Sequence, residues 1–136
     1  MYRIRSSAAL LAALLIPLAA GAGRPDWEAL ADVGTLEVVT HDEDGDARET
    51  KIWLAVVDGQ GFIRTGGTTW GDNVARDPNL VLRIEGVEYP LRAEFIEDEE
   101  LRERVEAVFR EKYGFSDRMV GLFRFGDTRI MHMLPR

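Results

Sequence analysis

The sequence predicts a mainly β, α+β domain: a small six-stranded antiparallel barrel with a long helix and one or two short helices. Three observations predict it. Runs of alternating apolar residues are punctuated by turn signals, at Asp58-Gly59-Gln60-Gly61 and at Glu85-Gly86, which is the pattern of hairpin-connected strands. One strongly amphipathic helix, from Asp98 to Tyr113, carries a single apolar stripe to bury against a sheet. The chain of 136 residues, less its N-terminal segment, suits one domain with a sizeable core and is too short for two. An open α+β sheet with the long helix on one face fits the same elements.

At the N-terminus, Arg3 and Arg5 precede an apolar run of 13 residues, Ala8 to Ala20, and Ala20-Gly21-Ala22 supplies the small residues of a cleavage site. This reads as a secretory signal removed after Ala22, leaving residues 23–136 as an exported domain, periplasmic or secreted. A membrane span needs about 20 apolar residues, so retention as an anchor is the alternative, and no second hydrophobic span follows. Without paired arginines ahead of the run, the general secretory route is favoured over the one that carries folded, cofactor-loaded proteins.

Past a polar leader, Trp27 to Ala31 forms one helical turn whose tryptophan and leucine dock on the barrel. The first strand is Leu36 to Thr40, followed by the acidic hairpin loop His41 to Asp46. A second strand runs from Thr50 to Val57; both its faces are partly apolar, so it is expected to be central. Phe62 to Thr65 is the third. Thr69 caps a short helix from Trp70, which Asp77-Pro78 stops. Leu80 to Ile84 and Val87 to Phe95 make a hairpin. On the long helix, Leu101, Val105, Val108 and Phe109 share one face, Glu100 with Arg104 and Glu106 with Arg110 stand four apart, and Gly114 ends it. Ser116 caps a further short helix with Met119, Val120 and Leu122, and the last strand is Thr128 to Leu134.

Charge and composition exclude several classes of function. The signal contains two of the 17 basic residues and none of the 24 acidic ones, so its removal takes the net charge from −7 to −9. Nucleic acid and anionic lipid are poor partners for that balance. The absence of cysteine excludes disulfides, thiol catalysis, iron–sulfur clusters and cysteine zinc sites. Asp42, Asp44 and Asp46 alternate, but a calcium loop starting at Asp42 needs glycine sixth and glutamate twelfth, where Ala47 and Trp53 stand. The two histidines, His41 and His132, have no metal-ligand spacing. His132 shares a strand face with Ile130 and Leu134, as a core or barrel-mouth residue does. Ser116 lacks a nucleophile-elbow setting, and no Gly-Lys-Ser or Gly-Lys-Thr follows the glycine pair. No metal site is expected.

The segment from Arg64 to Pro78 is left as the candidate site. Gly66 and Gly67 follow an apolar strand and let backbone approach a ligand, a helix start offers free N–H groups, and Arg64 and Arg76 bring two permanent charges. Trp70 has the shape to wall a ring system. The same residues also have a structural reading: Trp70 as core, Asn73 as a satisfied helix residue, the glycines as a tight turn. Asp72 places a negative charge in the helix turn that would face a phosphate.

The spacing Gly66-Gly67, Trp70, Asn73 and Pro78 resembles the deazaflavin-dependent nitroreductase family, and Ile52-Trp53 with Arg76 before Asp77-Pro78 resembles the wider flavin-binding split-barrel group related to pyridoxamine phosphate oxidase. The resemblance, from about Thr35 to Arg136, implies a split barrel that binds FMN or a deazaflavin, and a homodimer. It implies binding roles for Arg64, Thr65, Gly67, Trp70, Asn73 and Arg76, with Lys51 and Trp53 near the ring. Thr65 stands where that family has a lysine, and only Thr68-Thr69 separates the glycines from the tryptophan, so the phosphate cup is smaller and less basic. No catalytic acid or base is implied, because the cofactor carries the hydride chemistry. The expectation is an exported oxidoreductase passing hydride to a small quinone-like or nitro-like acceptor. The alternatives are a non-catalytic periplasmic ligand-binding or interaction module, or haem binding through His132 or His41. Trp53, Met119 and Phe123 look surplus to the core and suit a shared dimer face.

Overall fold

Seven antiparallel strands, one more than expected, form the sheet of this computed structural model, which describes residues 23–118 and 127–136. Residues 1–22, expected to be a secretory signal, and Met119, Val120, Leu122 and Phe123 lie outside the described residues. The additional strand comes from the stretch expected to be one central strand. That stretch is β2 (Ala47–Ile52) and β3 (Ala55–Val57), after β1 (Leu36–His41). β2 pairs with β1, whereas β3 pairs with β4 (Gln60–Thr65). With β5 (Asn79–Ile84), β6 (Val87–Phe95) and β7 (Arg129–Pro135), the order across the sheet is β2-β1-β5-β6-β7-β4-β3.

β2 and β3 are therefore edge strands at opposite ends of the sheet, although only Trp53 and Leu54 separate them in the chain. The two ends must meet at that junction, so the sheet curls into a barrel split between β2 and β3. The mixed apolar pattern that suggested a central strand has another cause. Ile52 and Leu54 enter one core, and Ala55 and Val57 enter a second.

The first core fills the concave side of the sheet. Leu36 and Val38 of β1, Leu80, Leu82 and Ile84 of β5, and Met131 and Met133 of β7 alternate into it, joined by Trp70 and Val74 from α1 (Thr69–Arg76). The second core lies on the opposite face, under α2 (Glu99–Tyr113), where Val105 and Phe109 are fully buried against Ala55, Val57, Phe62 and Ile130. Leu101 and Val108 of the predicted stripe are only partly buried. The N-terminal turn docks as expected, with Trp27 buried and Leu30 packed on the inner core.

Turn chemistry fixes the hairpins. Asp58 and Gly59 join the paired Val57 and Gln60 with φ of 52° and 69°, and Glu85 and Gly86 join Ile84 and Val87 with φ of 50° and 80°. Two consecutive positive φ angles match the right-handed strand twist. Gly61 answers a different demand, because a Cβ there would lie 2.6 Å from the Trp27 ring. Gly61→Ala should therefore displace that ring and cost about 1 to 3 kcal/mol, read as a lower melting temperature.

Helix ends depart slightly from expectation. The cap of α1 is Thr68, not Thr69, and its side chain accepts from the Gly71 N–H. α2 starts after Asp98 and ends at Gly114, whose φ is 53°. Helical residues 115–118 follow directly, so Ser116 lies inside that turn and does not cap it. Among the described residues no helix is long and apolar enough to cross a membrane.

Candidate functional site

Arg64 and Thr65 end β4, and strand alternation sends them to opposite faces. Arg64 faces α2. Its Nη1 donates to Glu106 Oε2 at 2.5 Å, its Nη2 donates to Asp117 Oδ1, and its guanidinium lies 4.1 Å from the centroid of the Phe109 ring. Only 4 % of the Arg64 side chain is exposed. Glu106, placed by spacing opposite Arg110, bonds Arg64 instead, because β4 brings a buried cation under the helix. A buried cation draws a carboxylate more strongly than a solvated one does.

Thr65 faces the concave side, where its Oγ1 lies 2.5 Å from Thr68 Oγ1. The turn between them is held by Arg129, at the start of β7, whose Nη2 donates to the Gly66 carbonyl at 2.8 Å and whose Nη1 reaches Asp72 at 3.2 Å. Arg129 thus meets the negative charge noted in the first turn of α1. Gly71 leaves room for it, since a Cβ there would stand 2.5 Å from Arg129 Nη2. Gly67 is exposed. Trp70 is 5 % exposed and belongs to the inner core.

The far end of α1 is tied to the acidic hairpin. Asn73 Nδ2 donates to Thr40 Oγ1 at 3.1 Å and to Asp42 Oδ1 at 2.8 Å. Arg76 donates to Asn73 Oδ1 and to the His41 carbonyl, at 2.9 and 2.7 Å. Arg48 completes the group through Asp42, and its guanidinium with the Asn73 amide holds that carboxyl below the usual carboxylate range. The alternating aspartates of this loop serve the hairpin and α1. Among the described residues no group of three or more His, Asp or Glu is placed to hold a metal ion.

Trp53 stacks on Tyr113 at 4.1 Å with planes 6° apart, and Tyr113 stacks on Phe109 at 6.0 Å. The Tyr113 hydroxyl donates to the Gly34 carbonyl at 2.8 Å and accepts from the Leu54 N–H at 3.0 Å, while Lys112 donates to the Leu54 carbonyl at 2.8 Å. Burial pushes the Lys112 ammonium down and the Tyr113 phenol up from their ordinary values. The end of α2 thereby pins the β2–β3 junction. Lys51 is exposed and lines a surface cleft with Thr35, Glu37, Arg83 and Glu85. His132 is half-buried on the outer face, stacked on Phe62 at 4.9 Å, with Nε2 2.7 Å from Gln60 Oε1. Burial pushes its imidazole down, and Glu94 opposes that shift.

The eight residues read from sequence as binding a cofactor thus fall into three places. Thr65, Gly67, Trp70, Asn73 and Arg76 belong to α1 and its approach; Arg64 and Trp53 lie against α2 through Phe109 and Tyr113; Lys51 is in the cleft. Among the described residues, Arg64 and Arg76 share no hydrogen-bond partner. Sequence reading missed Arg129 and Asp117. Arg129 had no signal beyond opening a strand, and Asp117 none beyond its distance from Gly114.

Comparison with solved structures places the fold. A conserved hypothetical protein from Mycobacterium tuberculosis is similar with a TM-score of 0.65 at 21% identity, over 84% of this chain and 82% of that one. HutZ, the heme storage protein from Vibrio cholerae, is similar with a TM-score of 0.62 at 17% identity, over 83% and 89%. A candidate pyridoxamine 5'-phosphate oxidase from Listeria innocua is similar with a TM-score of 0.58 at 15% identity, over 82% and 93%. These likenesses show a split barrel of the pyridoxamine phosphate oxidase-like kind. No match was found among the curated proteins. One family model, described as an uncharacterized protein conserved in bacteria (DUF2255), matches residues 26–127.

Proposed function

The chain belongs to the DUF2255 family, and from that premise we propose an exported, non-catalytic split-barrel module that binds a small ligand. The observation that carries this reading is that the cations of the candidate segment, and Arg129 against its turn, are already bonded within the chain. Arg64 holds Glu106 and Asp117, Arg76 holds the His41 carbonyl and Asn73, and Arg129 holds the Gly66 carbonyl and Asp72. An oxidoreductase retains its cofactor through turnover with charge-assisted contacts, each worth about 1.5 to 3 kcal/mol. At Arg64, whose side chain is 4 % exposed, such a contact forms only after an internal one breaks, and Trp70, the expected ring wall, is in the core. The residues present do not fit a preformed FMN or deazaflavin cradle.

A second reading, an FMN- or deazaflavin-dependent oxidoreductase acting on a quinone-like or nitro-like acceptor, draws support from the likeness to the Listeria innocua protein. The likeness to HutZ supports a haem-class ligand instead. Titrating the purified protein with FMN, a deazaflavin and haem, followed by absorbance, separates them. Binding of any of these without reduction of a quinone or nitroaromatic by reduced cofactor is the expected outcome. Catalytic turnover would establish the second reading, and no binding of FMN or a deazaflavin below about millimolar, roughly 4 kcal/mol, would sink it.

Export and pairing belong to the same proposal. The exported protein should begin at Gly23 by intact mass, and light scattering at tens of micromolar should return a dimer, using the partly exposed Trp53 as part of the shared face. A product retaining Met1 to Ala22 in the membrane fraction would mean an anchor.

A further inference from the structure

Arg64 carries one positive charge and, among the described residues, meets two carboxylates, one more than neutrality needs, at a position where its side chain is 4 % exposed and that of Asp117 is 9 %. A second buried carboxylate adds a desolvation cost that one cation offsets only in part. The two acids differ in how they are held. Glu106 sits in the middle of α2, beside the fully buried Val105 and one turn from the fully buried Phe109. Asp117 stands beyond Gly114, whose φ of +53° breaks the helix, and its backbone N–H bonds back to the Gly114 carbonyl. Movement of Asp117 therefore leaves α2 intact. The Phe109 ring under the guanidinium, at 4.1 Å, keeps Arg64 oriented whether or not Asp117 is present.

From this geometry we infer that Asp117 occupies the anion subsite of the ligand: an oxyanion, phosphate or carboxylate, replaces the Asp117 carboxylate on Arg64 when the ligand binds. The inference rests on the ligand-binding reading above and gives it a chemistry, an acid-bearing small molecule in competition with an internal carboxylate. The exchange preserves what a guanidinium requires. It trades one oxyanion for another on Nη2, while Glu106 keeps the cation paired through Nη1.

The test is calorimetric titration of inorganic phosphate, FMN and riboflavin into the wild type and Asp117→Asn. Phosphate and FMN should bind Asp117→Asn at least tenfold more tightly than the wild type, riboflavin, which lacks the phosphate, equally, and Arg64→Gln added to Asp117→Asn should abolish the gain. A folded Asp117→Asn that binds phosphate no better than the wild type overturns the assignment. If that variant does not fold, Asp117→Ser carries the same comparison. In the wild type itself, saturating phosphate should shift the Arg64 side-chain and Gly114 amide NMR signals, and their invariance would also overturn it. Failure of flavin and haem to bind, with the phosphate gain intact, counts against those cofactors alone.

Discussion

Phe109→Ala should destabilise the protein by about 3 to 5 kcal/mol, the range for truncating a buried aromatic that leaves a cavity its surroundings cannot fill. Phe109 is fully buried, packs against both α2 and the outer face of the sheet, supports the Arg64 guanidinium at 4.1 Å and stacks on Tyr113 at 6.0 Å. Its loss removes apolar contact and a cation–π contact together. It also loosens Tyr113, the residue that bonds Leu54 and Gly34 across the β2–β3 junction. Chemical denaturation reads the effect as a lower midpoint at unchanged slope. A midpoint within error of the wild type would show that α2 does not pack through this ring.

Arg64→Met should cost about as much, roughly 3 to 5 kcal/mol, for the opposite physical reason. The substitution keeps volume and apolar stem but leaves Glu106 and Asp117 facing each other without a cation. Glu106 retains 26 % of its side-chain surface in solvent, which places the expected loss toward the lower end. The informative comparison is Asp117→Asn, which keeps Arg64 paired with Glu106 and should cost far less. Combining Arg64→Met with Glu106→Gln and Asp117→Asn should recover much of the loss, since a neutral cluster no longer buries unpaired charge. Equal losses for Arg64→Met and Asp117→Asn would mean that the second carboxylate is needed for the fold.

Local chemistry was legible in the sequence, and long-range partnering was not. Gly86 and Asp58-Gly59 announced their hairpins because the φ angles they adopt are written in the residue types. The Asp98 to Tyr113 helix announced its length through its stripe and its terminal glycine. The break at Trp53 and Leu54 was not legible, because Ile52 to Val57 alternates without a glycine or proline, and what divides it is a change of partner strand. Thr68 and Thr69 are both threonines, and only the bond to Gly71 decides that the cap is Thr68. Among the candidate binding residues, the positions of Gly66 and Gly67 were clear. The commitments of Arg64 and Arg76 were not, since Glu106, Asp117 and the His41 carbonyl lie 42, 53 and 35 positions away. Trp70 illustrates the general difficulty: an aromatic on a short helix reads equally as a ring wall or as core, and packing against Val74 and the concave sheet makes it core.

The junction at Trp53 and Leu54 sets the order in which the molecule can assemble. The β1–β2, β3–β4 and β5–β6 hairpins each join neighbouring segments and close short loops. The β4–β7 pairing sets Phe62 opposite His132, far along the chain, and requires β7 to find both β4 and β6. Loop-closure entropy makes that pairing the slow one. Until β7 arrives, the β2–β1–β5–β6 half and the β3–β4 hairpin are tethered by the Trp53-Leu54 junction on one side and by α1 on the other, like two covers on a hinge. The last strand of the chain is thus the clasp that turns a hinged pair of sheets into one wall, and the folding rate is set by how soon it shuts.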